Sequence, residues 1–200
     1  MQEPVVYLVD DDAAVLDSLP MLIRAIGLAV KPYNHPDAFF REFSDEHVGC
    51  ILLDLRMPIF SGMVVHEKLR AMGCRLPVIF ITGHGDIAQC RKAFQNGAID
   101  FLTKPIDDQA LIDSLQKAIS VSIGEHQRHV QRSAISEKFQ RLSKREQEVC
   151  DLIVQGLPNK MIAKQLDLAL RTTENHRAAV YRKLEITSLS ELVKLSLALA

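Results

Sequence analysis

No stretch of this chain is apolar for long enough to cross a bilayer. A membrane-spanning helix needs about 18 or more apolar residues in succession, and runs such as 50–53 break off far sooner. The N-terminus lacks the basic, apolar and small-residue zones of a signal peptide. Four cysteines stand at positions 50, 74, 90 and 150, never in a CxxC pair. That spacing argues against both a zinc site and a disulfide framework, and the thiols are expected to be reduced in a cytoplasmic protein with no membrane partner. Neither GxGxxG nor GxxxxGK(S/T) occurs, so nucleotide binding has no motif behind it.

What is present suffices for two cores. With 48% apolar residues over 200 positions, the chain is long for one small domain and comfortable for two. A net charge of −1 hides an asymmetry. Residues 1–120 carry 16 acids against 11 Lys/Arg, whereas residues 121–200 carry 9 acids against 13. An acidic front and a basic back suggest two domains with different partners, the second a candidate for nucleic acid.

The front half is organised around Cys50-Ile51-Leu52-Leu53-Asp54-Leu55-Arg56-Met57-Pro58. Four apolar residues in a row read as a strand buried on both faces. The strand runs into Asp54, and Pro58 stops regular structure soon after. Comparable runs at 5–9, 28–33, 77–81 and 99–102 predict four further strands. Helical patterns over 13–26, 37–43, 62–72, 86–96 and 107–120 alternate with them, several closed by a glycine (27, 73, 97). Five strands alternating with five helices predict a parallel sheet covered on both faces, joined by right-handed crossovers.

In such a sheet ligands bind outside the carboxyl ends of the strands. Those ends supply Asp10 and Asp11, then Asp54, Thr82 and Lys104. Three carboxylates at one edge repel unless a cation neutralises them, and an oxygen-only ligand set favours Mg²⁺. Lys104 can pair with a carboxylate or with phosphoryl oxygens. Thr82 offers a hydroxyl donor, and Gly83 leaves room for a bulky group. The set suits phosphoryl transfer to a carboxylate, with Asp54 as nucleophile. A salt-bridged loop cluster accounts for any one of these residues, but not for all four strand ends.

Asp10-Asp11, Asp54 in DLRMP, Thr82-Gly83 and Lys104-Pro105 resemble the receiver domain of two-component response regulators, over residues 4 to about 120. The resemblance implies a flavodoxin-like (βα)5 fold and phosphorylation of Asp54 by a sensor histidine kinase's phosphohistidine. It further implies Mg²⁺ held by Asp10, Asp11, Asp54 and the backbone carbonyl of Arg56, with Thr82 and Lys104 assisting the transfer. Thr82 and Phe101 fall on the family's switch pair, although Phe101 alone reads as ordinary core. His84 is expected to be a loop residue that tunes the phosphoryl lifetime.

Residues 121–139 turn polar, with sparse apolar positions and an interrupting Gly124, and predict a solvated linker that can be helical. His126 and His129 share metal-ligand spacing, but solvated linker positions are the better reading. From 140 to 200 four helices are expected. Ser143 with Glu146 forms a capping box, Pro158 opens a short second helix, Thr172 caps a third running to Leu184, and Ser188 with Glu191 caps the last. The middle pair, joined by a tight turn, has a helix-turn-helix layout. Its second helix interleaves Arg171, Arg177, Arg182 and Lys183 with Asn175, His176 and Tyr181, which suits phosphate anchoring and base reading. For a lone helix, a solvated face would be the better explanation.

LSKREQEV, GLPNKMIAKQL and RTTENHRAAVYRKL resemble the LuxR-type helix-turn-helix, so the chain is similar to NarL/FixJ-family response regulators, of the FixJ type. The resemblance implies base reading by Glu174, Asn175 and Ala178, with Lys160, Thr172, His176, Arg177 and Lys183 near phosphates. Thr173 departs from the family's usual Val; its hydroxyl either weakens packing or finds a backbone partner. The implied partners are the sensor kinase, double-stranded promoter DNA, RNA polymerase, and a second copy on phosphorylation, through the face of the 86–96 helix and the fifth strand. The protein is then a regulator and no enzyme. Aspartyl-phosphate hydrolases are one rival, but Arg56 stands where they commonly place a second acid. A phosphorylation-independent regulator is another, against which the intact acceptor set counts.

Overall fold

The computed structural model describes residues 3–44, 46–58, 61–83, 91 and 93–199. It divides into two compact units between Gln127 and Arg128. In the first, strands β1 (Val5–Val9), β2 (Ala29–Tyr33), β3 (Gly49–Asp54), β4 (Val78–Thr82) and β5 (Asp100–Thr103) alternate with helices. The helices are α1 (Ala13–Ala25), α2 (Pro36–Glu42), α3 (Gly62–Ala71) and α4 (Asp108–Gln140). The strands form one parallel sheet in the order β2-β1-β3-β4-β5. This is the expected flavodoxin-like layout. Residues 93–95 are helical, but most of the helix expected over 86–96, together with Cys90 and His84, lies outside the described residues.

The unbroken apolar runs form strands because both sheet faces are covered. Successive residues of β3 alternate between two cores: Ile51 and Leu53 join Tyr7, Phe39 and Phe80, while Cys50 and Leu52 join Leu8, Ile23 and Leu111. Burial pushes the Cys50 thiol up to about 12, so it packs as an inert apolar group.

One helix runs on through the linker, which the sequence allows to be helical. The pattern over 107–120 continues unbroken to Gln140 as α4. Ser122, within the expected linker, is buried, and its Oγ accepts the N–H of Gly49 at the first residue of β3 (3.0 Å). Beyond it most side chains are exposed until Phe139, which packs on the second unit's core.

The second unit contains α5 (Lys144–Val154), α6 (Asn159–Gln165), α7 (Leu170–Leu184) and α8 (Leu189–Leu199). Val149, Ile153, Ile162, Val180, Leu184 and Leu192 form its core. The Ser143–Glu146 capping box is complete: Ser143 Oγ accepts from the Glu146 N–H (3.3 Å), and Glu146 accepts from the Ser143 N–H (2.7 Å). Such a cap contributes about 1 kcal/mol. The second box is shifted by one residue. Ser188 accepts from the Glu191 N–H (3.2 Å), but the Glu191 carboxylate takes the N–H of Thr187 (2.7 Å). Thr172 is not the cap expected for α7. That helix starts from Ala169, without a side-chain cap, because the left-handed turn at Asp167 (φ 51°) brings the chain into helix three residues earlier.

Candidate functional site

Two sites emerge, one in each unit. The first lies where the strand order reverses: β2 and β3 flank β1, so the crevice between the ends of β1 and β3 is the topological switch point. Asp10 follows β1 directly and Asp54 ends β3; they are 0% and 3% exposed. From the end of β5, Lys104 reaches both, with Nζ 2.8 Å from Asp10 Oδ2 and 3.1 Å from Asp54 Oδ1. The other carboxylate oxygens take backbone donors: Asp10 Oδ1 from the Asp12 N–H (2.9 Å), Asp54 Oδ2 from the Arg56 N–H (2.9 Å). Both pairs form the tight i to i+2 turns that Asp favours. They leave little rotational freedom to either carboxylate.

Asp11 stays exposed at the rim. One carboxylate oxygen each from Asp10, Asp11 and Asp54 lie within 4.8 Å of one another, the one such acidic, His or Cys group among the described residues. An all-oxygen set of this size suits a hard divalent cation. Burial, then the neighbouring Asp10, pushes the Asp54 carboxyl above its usual 3.8, against the opposing pull of Lys104 and the Arg56 N–H. For Lys104, burial alone would lower the pKa, but the bonds and charges of Asp10 and then Asp54 outweigh it and raise it above 10.5. The ammonium is therefore fully charged at neutral pH, and it is the cation that now balances the two buried carboxylates.

Sequence reasoning does not find Gly62. At the start of α3, a Cβ on this residue would meet the backbone oxygen of Asp54 at 2.2 Å. Only glycine allows the helix to seat so close behind the acceptor. Thr82 is fully buried, and its carbonyl accepts the Lys104 N–H at 2.7 Å. Phe101 sits half-buried on β5, paired in register with Phe80 and packed against one core. Arg56 is exposed beside the acceptor.

In the second unit, α6 and α7 form the helix-turn-helix pair. Arg171, Glu174, Asn175, Ala178 and Arg182 are all exposed, and their spacing sets them along one face of α7. Lys160 on α6 is exposed as well, whereas Thr172 and His176 are half-buried. Thr173 is completely buried, and its hydroxyl donates to the Ala169 carbonyl at 3.3 Å. That bond resolves the departure from Val in favour of a backbone partner.

Two residues expected at phosphates have partners within the unit as well. Lys183 donates to Glu146 (2.6 Å) and to the Arg141 carbonyl (3.2 Å). Arg177 donates to Asn159 Oδ1 (2.9 Å) and the Tyr181 hydroxyl (3.3 Å), with its guanidinium 5.4 Å from the Tyr181 ring centre. Arg177 thereby ties α7 to the first residue of α6. These partners lie 37 and 18 residues away in sequence, beyond the reach of any local pattern.

Residues 6–116 match the response regulator receiver domain, and residues 140–196 match the luxR family of bacterial regulatory proteins. The response regulator protein TmoT of Ectopseudomonas mendocina is 40% identical over 98% of this chain and 89% of its own length. The transcriptional regulatory protein FixJ of Rhizobium meliloti is 37% identical over 99% of this chain and 97% of its own. Among solved structures, the response regulator StyR superposes with a TM-score of 0.85 at 37% identity, covering 97% of this chain and 98% of that one. Full-length FixJ from B. japonicum gives 0.59 at 34% identity, covering 100% and 98%. Matched by both domain families and by relatives along nearly its whole length, the chain belongs to the FixJ-type two-component response regulators, transcriptional regulators that join a receiver domain to a LuxR-type DNA-binding domain.

Proposed function

We propose that Asp54 is the phosphoacceptor of this regulator and that its phosphorylation controls dimerisation and promoter binding. The observation that carries the reading is the Lys104 ammonium, held 2.8 Å from Asp10 and 3.1 Å from Asp54 at the sheet's switch point. A carboxylate oxygen of Asp54 attacks the phosphorus of a kinase phosphohistidine. The P–N bond breaks, the imidazole leaves with its electron pair, and an acyl phosphate remains on Asp54. Asp10, Asp11, Asp54 and the Arg56 carbonyl would hold Mg²⁺, which when bound neutralises charge on the phosphoryl oxygens.

The phosphoryl group adds about −1.5 to −2 charge and strong acceptor oxygens. Lys104 turns from Asp54 to those oxygens, and the Thr82 hydroxyl donates to them. Phe101 repacks inward as Thr82 moves, reshaping the face formed by the helix expected over 86–96 and β5. That face then pairs with a second copy, and the dimer grips two half-sites on DNA. We assign residues 1–120 to the receiver, 121–139 to the linker and 140–200 to the DNA-binding domain of a cytoplasmic protein that works beside RNA polymerase.

On DNA, Glu174, Asn175 and Ala178 read bases, while Lys160, Thr172 and His176, flanked by Arg171 and Arg182, lie at phosphates. Asparagine can donate and accept at an adenine edge, worth about 1–3 kcal/mol of discrimination. The test is a salt-titrated binding series on a selected site and a scrambled one, with and without phosphorylation. Phosphorylation should tighten binding to the selected site, and Asn175→Ala should erase the preference while leaving the salt slope unchanged. Equal losses on both sequences would put Asn175 on the backbone. Identical affinity with and without phosphate would sever DNA binding from the acceptor.

A further inference from the structure

An open groove of about 510 Å³ lies at the foot of β4, the end of the strand opposite the acceptor edge. It is bounded by the C-terminal part of α3, the segment 74–78, the turn at 95–99, and α4 at Val121 and Glu125. Its volume falls in the range of small-molecule sites. Nothing in the phosphoacceptor mechanism uses it.

His66 marks the groove as more than a surface irregularity. The residue is 3% exposed, edge-on to Phe80 with ring centres 5.4 Å apart, and lines the groove wall. Its Nδ1 is buried and has no hydrogen-bond partner among the described residues. A buried polar atom left unpaired is costly and calls for a partner, such as an ordered water or a bound ion. Burial first, and then Arg70, holds the imidazole below its usual 6.5, with Glu67 offsetting part of the effect. At neutral pH the ring is therefore uncharged and carries one N–H.

The remaining polar lining is rich in donors. Arg70, one turn after His66, is exposed, and Gln95 and Asn96 also line the groove. Arg70 and Arg75 outnumber the single carboxylate of Glu125. Val78 and Ile99 are among the apolar residues that line the groove. A metal fits poorly, because no group of three His, Cys or carboxylate ligands gathers here among the described residues.

We infer that this groove binds a small organic carboxylate, its charged end against Arg70 and the His66 imidazole and its hydrocarbon body over Val78 and Ile99. Such a ligand would bear on α4 through Val121, away from the acceptor edge, and so supply an input separate from phosphorylation.

The test is an amide-shift titration of the isotope-labelled full chain with benzoate, with benzyl alcohol as the uncharged analogue and inorganic phosphate as the bare anion. Benzoate should give saturable shifts at Val78 and Gly97 with a dissociation constant of about 1 mM. Arg70→Gln should weaken binding about tenfold or more. His66→Phe, which keeps a ring against Phe80, should weaken it as well. Retained labelling of both variants by acetyl phosphate shows that they are folded. Absent or non-saturable shifts, equal binding of benzyl alcohol, equal or tighter binding of phosphate, or indifference to Arg70→Gln would each overturn the assignment.

Discussion

Lys183 donates to the carboxylate of Glu146 at 2.6 Å, joining the last turn of α7 to the first turn of α5. Glu146 is also half of the Ser143 capping box, and it is 7% exposed. The lysine thus holds a carboxylate that is already holding a helix start. Removing it leaves a nearly buried anion without its cation, whereas an exposed phosphate contact would leave the fold untouched.

Lys183→Ala should therefore destabilise the second unit by about 2 kcal/mol, the scale of a hydrogen bond between charged groups. Hydrogen exchange of the α5 and α7 amides in the full chain reads this directly. Faster exchange with an unchanged salt slope of DNA binding is the expected result. Native exchange with a flatter slope would return Lys183 to the phosphate backbone.

The same pair predicts a pH dependence. The Lys183 bond first, and then the Ser143 N–H, hold the Glu146 carboxyl below its usual 4.5 in the folded chain. A carboxylate depressed on folding contributes stability that is present above its unfolded value and lost as pH falls through the folded one. Protection of the α5 amides should hold at pH 6 and decline below about 4.5. Glu146→Gln, less stable at pH 6, should flatten that decline. An equally steep loss in the variant would assign it to other carboxylates.

Gly62 seats α3 behind the acceptor, and a methyl group there would lie 2.2 Å from the Asp54 backbone oxygen. Gly62→Ala should cost about 1–3 kcal/mol through overpacking and slow labelling by acetyl phosphate, because the shift is passed straight to Asp54. Thermal unfolding and initial labelling rates check the two effects. Wild-type values for both would mean that the helix start yields without moving the acceptor.

The acceptor edge is legible in sequence because apolar runs stop abruptly at Asp10, Asp54 and Thr82, and parallel topology leaves those stops one edge to share. The core of the second unit is legible through the helical spacing of Val149, Leu152 and Ile153 and of Ile162 and Leu166. The extent of α4 is less so: past Ser122 its polar side chains and Gly124 offer no stripe to extend. What Ser122 does depends on Gly49, 73 residues away. Gly62 reads as an ordinary helix start, since only tertiary structure brings the Asp54 oxygen against it. Lys183 and Arg177 look like free cations for the same reason, their partners lying in other helices.

Phosphorylation of Asp54, at an edge organised by Lys104 and the acidic pair, is open to a single measurement. Intact-mass measurement after incubation with acetyl phosphate and Mg²⁺ tests it most directly. The wild-type chain should gain the mass of one phosphoryl group, and Asp54→Asn should gain none. Equal labelling of the Asp54→Asn chain, or no labelling of the wild type, would contradict the account.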